Sequence, residues 1–283
     1  MATQNNPTPA PRPAEAQFTK AYTASPAAPA PVADAAPVDD FISAYALWAT
    51  RFEMPCEVNE ALATQVVASL LNSSRVSIEG PGYEVTLDLW LSVFADSGLG
   101  KGIATGELRR VIDAAGIGDL IENNTWGSKE AFYQQLSGRE VEWVDGDEPG
   151  RGRWEACYND QAKFYIWGEF ASVLTKFTSP AFSGVKEALT DMYDNTHPPA
   201  KIEYSQTGGT PAIDFPHPPR TNILALSTPE WFHGNLEDAD ARSGFLSWWT
   251  YVTVPGVAAP VAVADKLDIS QIPPVRPRSS TYP

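Results

Sequence analysis

Cysteine, histidine and basic residues are all scarce in this chain, and each shortage removes a class of chemistry. Only two cysteines occur in 283 residues, Cys56 and Cys157. Neither has a second Cys or a His at metal-ligand spacing, so neither a zinc site nor a disulfide framework is indicated, and a reducing compartment is expected. The three histidines, His197, His217 and His233, stand beside proline or in loops without partners at metal spacing. They read as surface residues and give little material for a Ser-His-Asp or Cys-His arrangement. Lys plus Arg total 20 against 35 Asp plus Glu, a net charge of −15. That balance repels a nucleic-acid backbone unless the cations gather on one face or around a channel. No stretch approaches the roughly 18 to 20 apolar residues of a membrane span, and the amino terminus lacks the basic segment and apolar run of a secretory signal. A soluble, cytoplasmic protein with no membrane partner is expected.

Large apolar side chains are also nearly missing from residues 1–40, which hold eight prolines and twelve alanines. Such a segment cannot bury enough surface to offset the entropy of ordering its backbone, and reads as a disordered tail. Residues 258–283 again mix proline with small residues, as in Ile272-Pro273-Pro274-Val275-Arg276-Pro277, and read as an extended arm or linker.

Between them, residues 41–257 alternate between helical and strand periods. Glu57 to Ser73 sets Leu62, Val66, Val67, Leu70 and Leu71 at helical spacing. Glu84 to Ala95 reads as one strand buried on both faces, and Lys101 to Ala115 as the helix after it. Ser128 to Leu136 is a helix capped by Ser128, with Glu130 suited to the positive end of its dipole. Lys163 to Trp167 is a short apolar strand, Glu169 to Phe177 and Val185 to Tyr193 are helices, and residues 198–220 hold a possible hairpin. Asn222 to Leu226 is a buried strand, and a helix opens at Pro229, where the missing N–H costs nothing. Strands separated by helices imply an α/β fold with a largely parallel sheet covered on both faces.

One segment carries chemistry. Asp96, Ser97, Gly98, Leu99, Gly100, Lys101 and Gly102 lie between a predicted buried strand and a predicted helix. Glycines there let backbone N–H groups curl around an anion, the helix N-terminus adds partial positive charge, and a lysine can reach the terminal phosphates. Against the pattern G-x-x-x-x-G-K-[ST], Ala95 replaces the first glycine and Gly102 the hydroxyl residue that would bind Mg2+. The alternative is a glycine-rich strand-to-helix turn that binds nothing.

The order of segments from Met54 to Pro255 resembles the phage and prophage family of RecA-like P-loop proteins with a DUF3987 domain, the YfjI-like primase or helicase-associated proteins. The resemblance is carried by a proline-led helix from Pro55 to Leu71, by Ser97-Gly98-Leu99-Gly100-Lys101, and by the serine-led helix at Ser128. It continues through the apolar strand Phe164-Tyr165-Ile166-Trp167 running into Gly168-Glu169-Phe170, Asp191 with Tyr193 and Asp194, Ser227-Thr228-Pro229, and Ser243 to Leu246. It implies a RecA-like P-loop NTPase core that binds ATP and Mg2+, in replication machinery of a bacterial or phage-infected cell, with DNA engaged through an oligomeric ring. Lys101 would meet the β- and γ-phosphates, Glu169 would orient the attacking water, and Ser227 or Thr228 would sense the γ-phosphate.

Two departures fall on catalytic positions. Gly168 stands where the family carries the Asp that orients Mg2+, and Ser247-Trp248-Trp249 replaces an arginine that follows Ser-Gly-Phe-Leu. Either Asp96, Asp145, Asp147 and Glu148 rebuild the metal site, or the chain is a catalytically degenerate scaffold that binds other proteins. Val141 to Glu148 reads as a strand entering a turn of a hairpin rather than a strand ending in catalytic acids. Trp231, Trp248, Trp249 and Tyr251 read as an aromatic cluster for packing or a subunit contact, since their neighbours are not basic enough to favour stacking on bases.

Overall fold

The computed structural model describes residues 40–50, 54–122, 126, 128–141, 153–156, 162–193, 215, 217–236, 238–254 and 272. The expected tail (except Asp40) and arm (except Ile272) lie outside these residues. So do Asp145, Asp147, Glu148, Cys157, Asp194, His197 and most of the possible hairpin over 198–220.

Two helices open the described chain. Helix α1, Phe41–Ala49, is capped by Asp40, whose carboxylate accepts from Ser43 N at 2.9 Å. It buries Tyr45 and Trp48 completely. Helix α2, Cys56–Ser73, buries Leu62 and Val66 of the expected stripe together with Val58, while Val67 and Leu70 are half-buried and Leu71 is exposed. Asn59 Nδ2 donates to Ala49 O at 3.2 Å and Met54 O at 3.4 Å, which fastens α2 to the end of α1.

The apolar run 84–95 is not one strand. Tyr83–Thr86 (β2) pairs antiparallel with Ser77–Gly80 (β1), and the chain then turns before Trp90–Phe94 (β3). Asp88 causes the break. It is only 8 % exposed, and its carboxylate accepts from Thr86 Oγ1 (2.5 Å), Asn72 Nδ2 (3.0 Å) and Thr221 N (2.7 Å). A charge so deeply buried is held only by donors of this kind, and gathering them bends the backbone out of a continuous ladder.

Helix α3, Lys101–Ala114, follows β3, then the two-residue strand β4, Ile121–Glu122, and helix α4, Lys129–Ser137, whose Ala131 N bonds Ser128 Oγ at 3.3 Å. Gly138–Val141 (β5) pairs antiparallel with Arg153–Ala156 (β6), outside the main sheet. Val141 therefore closes a strand of a hairpin pair, and residues 142–152 lie outside the described residues. Strand β7, Ala162–Trp167, leads through helices α5, Phe170–Phe177, and α6, Val185–Met192, to strand β8, Arg220–Ser227. Helices α7, Pro229–Gly234, and α8, Asp238–Arg242, precede strand β9, Trp249–Thr253.

The main sheet has five strands in the order β4-β7-β8-β3-β9, with every neighbouring pair parallel. Side chains alternate between its faces as the strand period requires. Leu91, Val93, Phe164, Leu224 and Leu226 meet α1, α2 and α3 on one side. Trp90, Phe94, Tyr165, Trp167, Ile223, Ala225 and Trp249 meet α4 to α7 on the other. The fold is α/β, a parallel sheet flanked by helices on both faces.

The four aromatic residues expected to cluster are dispersed. Trp249 is buried against Phe170 with ring centroids 4.4 Å apart, Trp248 stacks on Tyr193 at 4.8 Å, and Tyr251 stacks on Phe94 at 5.9 Å. Trp231 stands exposed on α7. Trp248 closes a 3-10 turn, Phe245–Trp248, and Trp249 opens β9, so the change of backbone conformation between them separates the two although they are adjacent in sequence.

Candidate functional site

The carboxyl end of β3 passes into a turn with two glycines in the left-handed region, Gly98 at φ 85° and Gly100 at φ 75°. Side-chained residues pay for that conformation, which explains glycine at both positions. Leu99 between them is buried and has an ordinary negative φ. Alternation of this kind forms a concave nest of backbone amides. Gly100 is the cap of α3, so the turn delivers the chain straight onto a helix N-terminus.

Lys101 opens that helix. Its Nζ donates to Ala95 O and, at 3.0 Å, to Asp96 O, so the ammonium folds back across the turn. Partial burial pushes its pKa below the ordinary lysine value, against the pull of Glu169, Asp96 and Glu230. Glu169 directly precedes α5, two residues after the end of β7, and Ser227, fully buried, is the last residue of β8. Ser227 Oγ donates to Glu169 Oε1 at 2.5 Å. Lys101, Glu169 and Ser227, from three distant segments, are thus gathered at the carboxyl ends of β3, β7 and β8. This is the end at which open α/β sheets place their ligands.

No protein-family model matches the chain, and no curated protein is similar to it.

The remaining expected site residues divide. Asp96, Ser97 and Gly98 are exposed on the turn. Thr228 serves as the cap of α7, its Oγ1 accepting from Trp231 N at 3.4 Å, which commits that hydroxyl to the helix. Gly102 and Gly168 have open space around them: a Cβ at either meets nothing within 4 Å, and neither backbone is left-handed. Packing does not require glycine at these two places.

The fit of a metal follows from the donors. Gly102 and Gly168 supply no side-chain oxygen, and Thr105, the next hydroxyl along α3, spends its Oγ1 on Lys101 O (3.0 Å) and Gly102 O (3.2 Å). Among the described residues no group of three or more His, Cys, Asp or Glu could hold an ion. The residues described therefore do not fit a protein-held Mg2+. Glu230 was not singled out from the sequence. Its only signal is its place in the first turn of the helix after Ser227-Thr228-Pro229, and that becomes informative once β8 is known to adjoin β3.

Proposed function

We propose that this chain binds a nucleoside triphosphate, ATP, through the turn Asp96 to Gly102, and that it is a RecA-like P-loop component of phage or mobile-element replication machinery. The observation that carries this reading is the meeting of Lys101, Glu169 and Ser227 behind a left-handed glycine turn at the mouth of a parallel sheet. Strand order supports it as well. β8 separates the strand that bears the turn from the strand that bears Glu169, so the lysine and the acid stand on either side of the end of β8.

In this assignment the nest amides and Lys101 hold the β- and γ-phosphates. To do so, Lys101 exchanges Ala95 O and Asp96 O for phosphate oxygens. Ser227 fixes the Glu169 carboxylate, which would accept the proton of an attacking water. Three carboxylates near Lys101 against one ammonium leave the site acidic, so a triphosphate enters only with its charge neutralised by a cation carried on its own phosphates. Assembly into a ring on DNA belongs to the same proposal.

A second reading, a non-hydrolysing scaffold, is favoured by Gly102 and Gly168, whose lack of oxygens leaves the metal to the nucleotide alone. Calorimetry with Mg-ATP on wild type and Lys101→Ala tests both readings. Heat from wild type that is lost in the variant supports nucleotide binding, and phosphate release then separates ATPase from scaffold. Absence of heat from either protein refutes binding.

A further inference from the structure

The opposite end of the sheet presents a different problem. Arg220, the first residue of β8, is 5 % exposed, and its Nε and Nη1 are buried without a hydrogen-bond partner. Among the described residues it makes no ion pair. Asp88, whose carboxylate reaches the N–H of the next residue, Thr221, is engaged by Asn72, Thr86 and Thr221. A second guanidinium approaches: Arg75 Nη1 lies 3.4 Å from Pro218 O, two residues before Arg220. Partial burial and the charge of Arg220 both push Arg75 below the ordinary arginine range.

Taking a guanidinium out of water without a partner costs several kcal/mol, and like charge beside it adds to the cost. Protein interiors retain such groups when an anion completes them. A phosphate monoester offers three oxygens in a geometry the arginine fork matches, more than a single carboxylate presents to Nε and Nη1.

We propose that Arg220, with Arg75 beside it, forms an oxyanion site at the amino-terminal end of β8 that takes a phosphate monoester dianion. It lies at the other end of the strand from Ser227 and is independent of the nucleotide assignment.

The test uses the full chain carrying Lys101→Ala, so that the lysine of the glycine turn contributes nothing, with and without Arg220→Met. Melting temperature is followed against inorganic phosphate at constant ionic strength. A saturable rise with phosphate that Arg220→Met abolishes supports the site, and the absence of a rise in the Arg220 protein overturns it. An equal rise in both proteins is a solute-exclusion effect and overturns the proposal. A lower melting temperature for Arg220→Met without phosphate also overturns it, since the arginine would then have a partner within the protein. Should Arg220→Met not fold, Arg220→Lys carries the test. The lysine keeps the charge without the fork, so phosphate affinity falls about tenfold or more, and an unchanged affinity overturns the proposal. A 5′-phosphorylated oligonucleotide that competes with phosphate while its 5′-hydroxyl twin does not assigns the dianion to a strand end, and no competition from either assigns it to free phosphate. Equal competition from both overturns the monoester assignment.

Discussion

If the site lacks metal ligands only because two glycines replaced them, restoring the side chains should restore metal dependence. The perturbation is Gly102→Thr with Gly168→Asp. A Cβ at either position meets nothing within 4 Å and neither backbone is left-handed, so the backbone need not shift to carry a side chain there. Gly102 lies in the first turn of α3, where glycine to threonine gains a few tenths of a kcal/mol in helix propensity. The new aspartate adjoins Glu169 and adds repulsion, which the ammonium of Lys101 partly offsets. The double variant should therefore unfold within about 1 kcal/mol of wild type. The functional gain is larger. Losing a single outer-shell partner typically costs a metal site 10- to 100-fold in affinity, and direct ligands count for at least as much. Affinity for ATP in the presence of Mg2+ should thus rise at least about tenfold, or about 1.4 kcal/mol, with no rise when Mg2+ is chelated. Calorimetry at matched ionic strength with and without Mg2+ measures the difference. Destabilisation well beyond 1 kcal/mol would refute the reading of open space, and an unchanged Mg2+ dependence would refute the placement of the phosphates.

Other perturbations test other parts of the structure. Asp88→Ala strands three buried donors and should cost about 3 kcal/mol or more, lowering Tm by roughly 6 to 12 °C in a domain of this size. Thr228→Ala removes the cap of α7 and should cost about 1 kcal/mol by chemical denaturation while leaving any nucleotide binding intact. Glu169→Gln should retain ATP binding and abolish phosphate release, and loss of binding instead would make Glu169 a structural residue. Burial pushes the Tyr251 phenol up to about 12, and the phenols of Tyr45 and Tyr165 also upward. A raised folded-state value confers stability that is complete below the unfolded phenol range near 10 and is lost as pH rises through the folded value. Melting temperature should therefore fall above pH 10, in step with phenolate absorbance reaching its midpoint for Tyr251 near 12.

The parts of the fold that were legible in the sequence are those in which one physical pressure dominates. β7 and β8 are covered on both faces and so carry the apolar runs Phe164–Trp167 and Ile223–Leu226. The turn after β3 announced itself because left-handed backbone selects glycine. Lys101, Glu169 and Ser227 were singled out from three separate segments, and the fold brings them to the carboxyl ends of β3, β7 and β8. Where pressures compete, the sequence misled. Apolar residues on both sides of Asp88 concealed a buried carboxylate that divides the run 84–95 into β2 and a separate β3. β9 lies at the sheet edge with Thr250, Tyr251 and Thr253 exposed, so its composition carries little of the signal of a buried strand. α1 is apolar almost all round and shows no stripe by which to recognise a helix. Thr228, adjacent to Ser227 and chemically similar, differs from it only because α7 begins there and claims its hydroxyl.

Charge was legible in total but not in place. The balance of −15 speaks against phosphate ligands in general, yet affinity for an anion depends on the few cations that desolvation isolates from the rest. Lys101 stands half-sheltered among three carboxylates, whereas Arg220 is enclosed at the other end of the same sheet with two donors unused. Solvent and neighbouring acids moderate the first, and an added anion would complete the second. The two ends should accordingly respond differently to salt: binding at Lys101 should weaken as ionic strength rises, and binding at Arg220 should change little, because a screened surface does not screen a buried guanidinium. Phosphate titrations of Lys101→Ala and Arg220→Met at low and high salt separate the two, and equal salt dependence at both ends would mean that Arg220 is not desolvated in solution.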